Sequence, residues 1–308
     1  MMGGKRRSAS RLHRRAISRG RTKSMRRVRP RPASARRPLK KSSSGPPAVA
    51  TPFILNRSAA AVVTACNEED TIANVLRELK RLPLQEIIVV LNGCRDETYR
   101  RALEFPGILI VNIPEKLGYD VGRGIGARLS TADCVLFVDG DMRIPAEELY
   151  PFLSAVDQGY DVALNHLTPL LPPFKRQDSV TRCKGFLNRL LKRSDLGNDS
   201  MTAVPHALSR RCLEEIGPQT LVVPPLAHST AILKGMKVAP AHTVDVLTRN
   251  KRRHSLNEGA GNPVEALIVG DHAEAAAYVL SMMGRGKMPA SLSTVRVELA
   301  KRRNGLSR

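Results

Sequence analysis

The residues best placed to do chemistry are Asp139 and Asp141, which flank Gly140 directly after the apolar run Val135-Leu136-Phe137-Val138. Two carboxylates ending a buried strand offer hard oxygen ligands to one divalent cation, Mg2+ or Mn2+. Such a cation bridges diphosphate oxygens and stabilises the charge of a leaving group. A surface turn is the alternative, since Asp-Gly is a common turn pair, but it leaves two acids at the end of a buried run unexplained. Three other polar segments share this setting. Residues 64–69 (TACNEE) bring Asn67 and Glu68 to a strand end, with acids entering the next helical turn. Residues 92–98 (NGCRDET) combine an Asn92-Gly93 turn with Asp96, a residue type that caps helices. Residues 118–126 (GYDVGRGIG) hold glycines that let backbone approach a ligand and an arginine, Arg123, suited to a phosphate. This last stretch is no dinucleotide fingerprint: its spacing is wrong and it does not follow the first strand. Taken singly, each of the three also reads as an ordinary cap or turn.

The elements that must position these groups alternate in type. Short apolar runs at 59–64, 86–91, 108–112 and 134–138 predict strands. Helical spacing separates them, with Ile72, Val75, Leu76 and Leu79 marking one face of the first helix. Continuous apolar strands between amphipathic helices predict an α/β fold with a mostly parallel sheet covered on both faces. Every strand's carboxyl end then lies at one edge, where ligands of such sheets bind, and all four polar segments sit at those ends. Further on, the pattern predicts helices at 147–156, 180–192, 209–216, 227–234 and 264–283. Strands are expected at 161–165, 202–205 and 237–239, with a basic loop at 249–254.

The ordered set Cys66-Asn67-Glu68-Glu69, Asn92-Gly93-x-x-Asp96-x-Thr98, Gly122-Arg123 and Asp139-Gly140-Asp141 resembles the family 2 inverting glycosyltransferases, over about residues 58–245. The resemblance implies a GT-A fold and metal-assisted, inverting transfer of a sugar from a nucleotide-diphospho-sugar, UDP- or GDP-linked, to an acceptor hydroxyl. It implies that Glu68 and Asp96 lie by the base and ribose and Arg123 near the sugar-diphosphate, with Asn67, Asn92, Gly122 and Asp139 also binding the nucleotide-sugar. Asp141 would hold the metal with Asp139 beside it. Where the family has a Glu-Asp pair carrying the usual base, this chain has Val223 and Pro224. Asp199, flanked by Asn198 and Ser200 on the acceptor-side segment, is the expected substitute, with Asp195 and Asp245 as alternatives. Residues 244–254 resemble the corresponding end of glucosyl-3-phosphoglycerate synthases, in which a histidine helps bind the metal, and so make His254 a metal-ligand candidate.

Charge is distributed unevenly. Residues 1–56 carry 17 Lys and Arg and no acid, so of the net +22 all but about +5 sits in that segment. With so few large apolar side chains it is expected to be a disordered basic tail over 1–57. Its readings are a solubilising extension, an arm for anionic lipid, nucleic acid or another polyanion through residues 1–50, or a transit peptide. A glycosyltransferase domain over 58–285 and a basic tail over 286–308 complete the expected organisation. Five scattered cysteines with no C-x-x-C pair fit free thiols in a cytoplasmic protein, or one at the inner face of a membrane. No apolar run is long enough for a transmembrane segment. Two other classes stay open: a nucleotidyltransferase of similar fold, which wants a basic Gly-rich loop after the first strand, and a non-catalytic polyanion-binding protein acting through the tail.

Overall fold

The computed structural model describes residues 53–249 and 263–283. All lie in the unit that begins at Thr51. Among the described residues seven strands form one sheet in the order β3-β2-β1-β4-β6-β5-β7. They are β1 (Ala59–Ala65), β2 (Glu86–Asn92), β3 (Leu109–Ile113), β4 (Cys134–Asp139), β5 (Val162–Asn165), β6 (His206–Ser209) and β7 (Val238–His242). All pairings are parallel except those of β6, which runs against both β4 and β5. The carboxyl ends of β1, β2, β4 and β5 therefore share one edge.

The helices are α1 (Ile72–Leu79), α2 (Thr98–Leu103), α3 (Val121–Leu129), α4 (Ala146–Asp157), α5 (Ser179–Leu190), α6 (Arg210–Ile216), α7 (Pro224–Leu233), α8 (Val246–Arg249) and α9 (Pro263–Met282). Side chains of β1 explain the unbroken apolar runs. Ala59, Ala61 and Val63 enter the core under α1 and α4, while Ala60 and Val62 enter the core under α3 and α6. A strand buried on both faces has no polar register to display. The fold is the expected mostly parallel α/β sheet flanked by helices.

One strand is displaced from its expected place. Residues 202–205 form turns, with a cis Val204-Pro205 bond, and β6 starts at His206. Proline cannot donate a ladder hydrogen bond. The buried imidazole of His206 does a core residue's job by stacking on Phe137, with ring centroids 5.2 Å apart. Ser209 then caps α6 by accepting a hydrogen bond from the Cys212 amide. At the other end of the unit Phe53 packs on Tyr150 with centroids 4.9 Å apart, and Asp157 accepts the amides of Asn56 and Arg57. α9 lies on α5 and α7, sealing a small cluster of Leu187, Leu191, Ala275 and Val279. No helix among the described residues is long and apolar enough to cross a membrane.

Candidate active site

A cleft of about 330 Å³ opens at the carboxyl edge of β1, β2 and β4. Its polar wall includes Glu68, Asn92, Asp120, Arg123, Asp139 and Asp141. The pairing of β1 with β4 sets Thr64 opposite Asp139, and the Thr64 hydroxyl donates to Asp139 Oδ1 at 2.9 Å. Arg123, in the first turn of α3, is nearly buried; it meets Asp120 at 2.9 Å and Asp139 at 3.5 Å. Burial opposes the guanidinium's charge, but Asp120 and Asp139 more than restore it, so Arg123 stays protonated. Asp120 shows the reverse balance: burial pushes its carboxyl up, Arg123 opposes and Asp139 reinforces the rise. Asp120, Asp139 and Arg123 thus meet in a cleft that Asp141 also lines.

The glycines Gly122 and Gly126 on either side of Arg123 allow close packing, and Gly122 also lines the cleft. A Cβ on Gly122 would lie 2.8 Å from Thr64 Cγ2, and one on Gly126 would lie 2.3 Å from Val62 Cγ1. They let α3 rest directly on β1, which carries Arg123 into the cleft. The loops after β1 and β2 are stitched together. Asn67, in the left-handed region at φ 59°, accepts the Arg95 amide at 2.8 Å. Asp96 accepts from the Thr98 hydroxyl at 2.6 Å and the Glu69 amide at 3.1 Å. These bonds hold the Asp96 carboxyl below its usual range, although burial works against them. Asn92 accepts the Leu117 amide at 2.9 Å and donates to the Gly118 carbonyl, pinning the loop that carries Lys116 and Tyr119 over the cleft.

Of the residues singled out in the sequence, Glu68, Asn92, Gly122, Arg123, Asp139 and Asp141 line this cleft, whereas Asn67 and Asp96 shape its rim from behind. Asp199 lies elsewhere, buried beneath the loop after β5. Its Oδ1 accepts the Leu167 amide, the Thr168 amide and the Thr168 hydroxyl at 2.9, 2.9 and 2.8 Å. Asp195 pairs with Arg193 at 2.7 Å, and Asp245 caps α8 through the Leu247 and Thr248 amides. His254, residues 1–52 and residues 284–308 lie outside the described residues, whereas residues 53–57, the end of the expected tail, are described and pack against Tyr150 and Asp157. Sequence reasoning gave no role to Asp120, although it stands within the Gly-rich segment; it predicted α9 as a helix over 264–283 but not that Val264, Leu267 and Ile268 form an apolar wall of the cleft. Nothing in the local sequence brings residues 264–268 to the end of β1.

Among the described residues no cage of three or more His, Cys, Asp and Glu side chains exists. Two carboxylates at an open cleft still fit Mg2+ or Mn2+, ions held by a few carboxylates while phosphate and water oxygens complete the sphere.

A model of glycosyl transferase family 2 matches residues 60–206, the segment that carries Glu68, Asn92, Arg123, Asp139 and Asp141. Residues 60–206 are a family 2 glycosyltransferase domain. An undecaprenyl-phosphate 4-deoxy-4-formamido-L-arabinose transferase of Klebsiella pneumoniae is 29% identical to the chain over 145 residues, covering 43% of this chain and 42% of the relative. Glucosyl-3-phosphoglycerate synthase of Mycolicibacterium smegmatis is 28% identical over 208 residues, covering 62% of each. The match spans less than two thirds of either relative. The family 2 domain shares its fold with glucosyl-3-phosphoglycerate synthase from Mycobacterium tuberculosis, solved with Mn2+, UDP-glucose and phosphoglyceric acid. The TM-score is 0.52 at 18% identity, over 76% of this chain and 82% of that one.

Proposed function

We propose that the protein transfers a sugar from a nucleotide-diphospho-sugar to an acceptor hydroxyl, with Mg2+ or Mn2+ and with inversion at the anomeric carbon. The observation that carries this reading is the meeting of Asp139, Asp141 and Arg123 in a cleft of nucleotide size at the carboxyl edge of the sheet. Asp139 and Asp141 would hold the cation, which when bound supplies positive charge to the departing diphosphate. Arg123 is preorganised by Asp120 and Asp139 to face the same diphosphate, a fixed charge that needs no reorganisation during the reaction. Glu68 and Asn92 would face base and ribose, and α9 adds an apolar wall of Val264, Leu267 and Ile268.

A uridine nucleotide is the first donor class to test, because the M. tuberculosis neighbour was solved with UDP-glucose. The domain boundaries 58–285, a cytoplasmic location and polyanion binding through residues 1–50 belong to the same proposal. A screen of UDP- and GDP-sugars with Mn2+ or Mg2+, read as nucleoside diphosphate release, tests it. Release should require the metal and vanish in Asp141→Ala; release that persists in EDTA or in that variant contradicts it.

A further inference from the structure

Resting on the proposed transfer, we infer that His166 is the general base of the reaction and that Asp199 is the residue that positions it. His166 Nδ1 lies 2.6 Å from Asp199 Oδ2. The Asp199 side chain is fully buried, while that of His166 is 39% exposed. An ionised carboxylate only accepts hydrogen bonds, so Nδ1 carries the proton and Nε2 presents its lone pair outward. The other oxygen, Oδ1, is held by Leu167 and Thr168, and Asn188 of α5 donates to the Asp199 carbonyl at 2.9 Å. The carboxylate therefore cannot swing to a substrate, but it fixes the ring's tautomer and orientation and stabilises the cation formed on proton uptake.

The sheet puts this pair in reach of the donor cleft. Leu136 of β4 pairs with Ala207 of β6, and Ala207 pairs with Ala163 of β5. Because β4 and β5 point the same way, Asp139 and His166, three residues further along each strand, stand level at one edge. Only β6 separates them, two strand spacings of about 4.8 Å each. The segment between them also belongs to the site, since Thr202, three residues after Asp199, lines the cleft. A cation completes this side: Lys184 of α5, for which burial lowers the pKa, feels Asp178, Asp199 and Arg123. Apart from Lys184 and Asp199, the neighbour from β7 is His242, whose carbonyl accepts the His166 amide at 2.8 Å. Meanwhile Val223 and the buried Pro224, at the start of α7, have no group able to take a proton.

In the step itself the acceptor oxygen forms its bond to the anomeric carbon as its proton passes to His166 Nε2. The anomeric carbon–oxygen bond to the diphosphate breaks, and its electron pair leaves with the nucleoside diphosphate.

The test pairs turnover with a spectroscopic readout. UDP release from UDP-glucose with Mn2+ is measured with 3-phosphoglycerate and with water as acceptor, and UDP-glucose affinity is measured separately. His166→Gln should lower kcat roughly 10²–10⁴-fold with UDP-glucose affinity unchanged. Imidazole 15N spectra of the whole protein, assigned with that variant, should show His166 protonated on Nδ1 when neutral, a preference lost in Asp199→Asn. Turnover within threefold of wild type in His166→Gln, or a neutral His166 protonated on Nε2, overturns the inference. Failure of the wild type to bind UDP-glucose or release UDP counts against the proposed function, and the tautomer then decides the His166 assignment by itself.

Discussion

Asp139 and Asp199 are both aspartates near the carboxyl edge of the sheet, yet the molecule uses them in opposite ways. On the β1–β4 side, Asp139 keeps 35% of its side chain exposed and shares its environment with Asp120, Asp141 and the Arg123 guanidinium. On the β5–β7 side, Asp199 is sealed, and its exposed partner is an imidazole. In the proposed function one side of the site would concentrate negative charge around a cation and a diphosphate. The other is built to direct a single nitrogen. A carboxylate near a substrate is therefore not enough to name a base; what its oxygens already accept decides.

The largest expected effect falls on the donor side. Asp141→Ala should reduce turnover by roughly 10³-fold or more, the scale of losing electrostatic stabilisation of a leaving group. Its circular dichroism spectrum and melting temperature should stay close to wild type. If His166→Gln proved as damaging to donor binding as Asp141→Ala, the division of labour between the two sides would fail.

Three buried histidines should dominate the response of stability to acid. Burial lowers the pKa of His206 from 6.5 to about 3, with the Arg123 charge adding to the fall. His228 is likewise lowered by burial to about 3, and His272 of α9 to about 4. The unfolded chain binds protons that the folded chain refuses, so the stabilisation is complete above pH 6.5 and declines as pH falls toward 3–4. The slope approaches about 1.4 kcal/mol per pH unit for each such histidine. Urea unfolding midpoints between pH 7 and 4.5 should show this decline, and His228→Asn should flatten it. A midpoint independent of pH across that range would show that these imidazoles are not buried neutral.

How much of this could be read from sequence differs between the two sides for the same physical reason. The strands β1, β2 and β4 announce themselves because both faces are buried, and the motifs at their ends follow from position. The strand β6 hides its start behind a histidine that substitutes for an apolar side chain, so the preceding residues 202–205 looked more strand-like. His166 directly follows β5 at the same edge as Asp139, so the positional reasoning that selected Asp139 had the information to find it. The closure of Asp199 depends on Leu167, Thr168 and Asn188, and the cleft wall of Val264, Leu267 and Ile268 depends on α9. Both are long-range contacts without a local signature. The glycines of 118–126 were legible as a close approach; for Gly122 and Gly126 the structure shows one to β1.

Gly126→Ala probes that approach. Its Cβ would collide with Val62, and overpacking of this kind costs about 1–3 kcal/mol, read as a melting temperature lowered by several degrees. An unchanged melting temperature would mean that α3 does not rest on β1 so closely. A smaller effect is expected from Leu267→Ala in α9, where loss of partly exposed apolar surface of about 1 kcal/mol should raise the donor KM roughly fivefold with kcat little altered. The smallest concerns residues 1–50. Their deletion should leave melting temperature and turnover on a soluble acceptor unchanged, while any binding to anionic vesicles or nucleic acid becomes weaker and less salt-dependent.

The most direct measurement is calorimetric titration of UDP into the full-length protein with Mn2+ and with EDTA, repeated for Asp141→Ala. A cleft in which Asp139 and Asp141 hold a cation against a diphosphate predicts binding that needs Mn2+ and is lost in the variant. UDP binding that is equal in EDTA and in Asp141→Ala would contradict it.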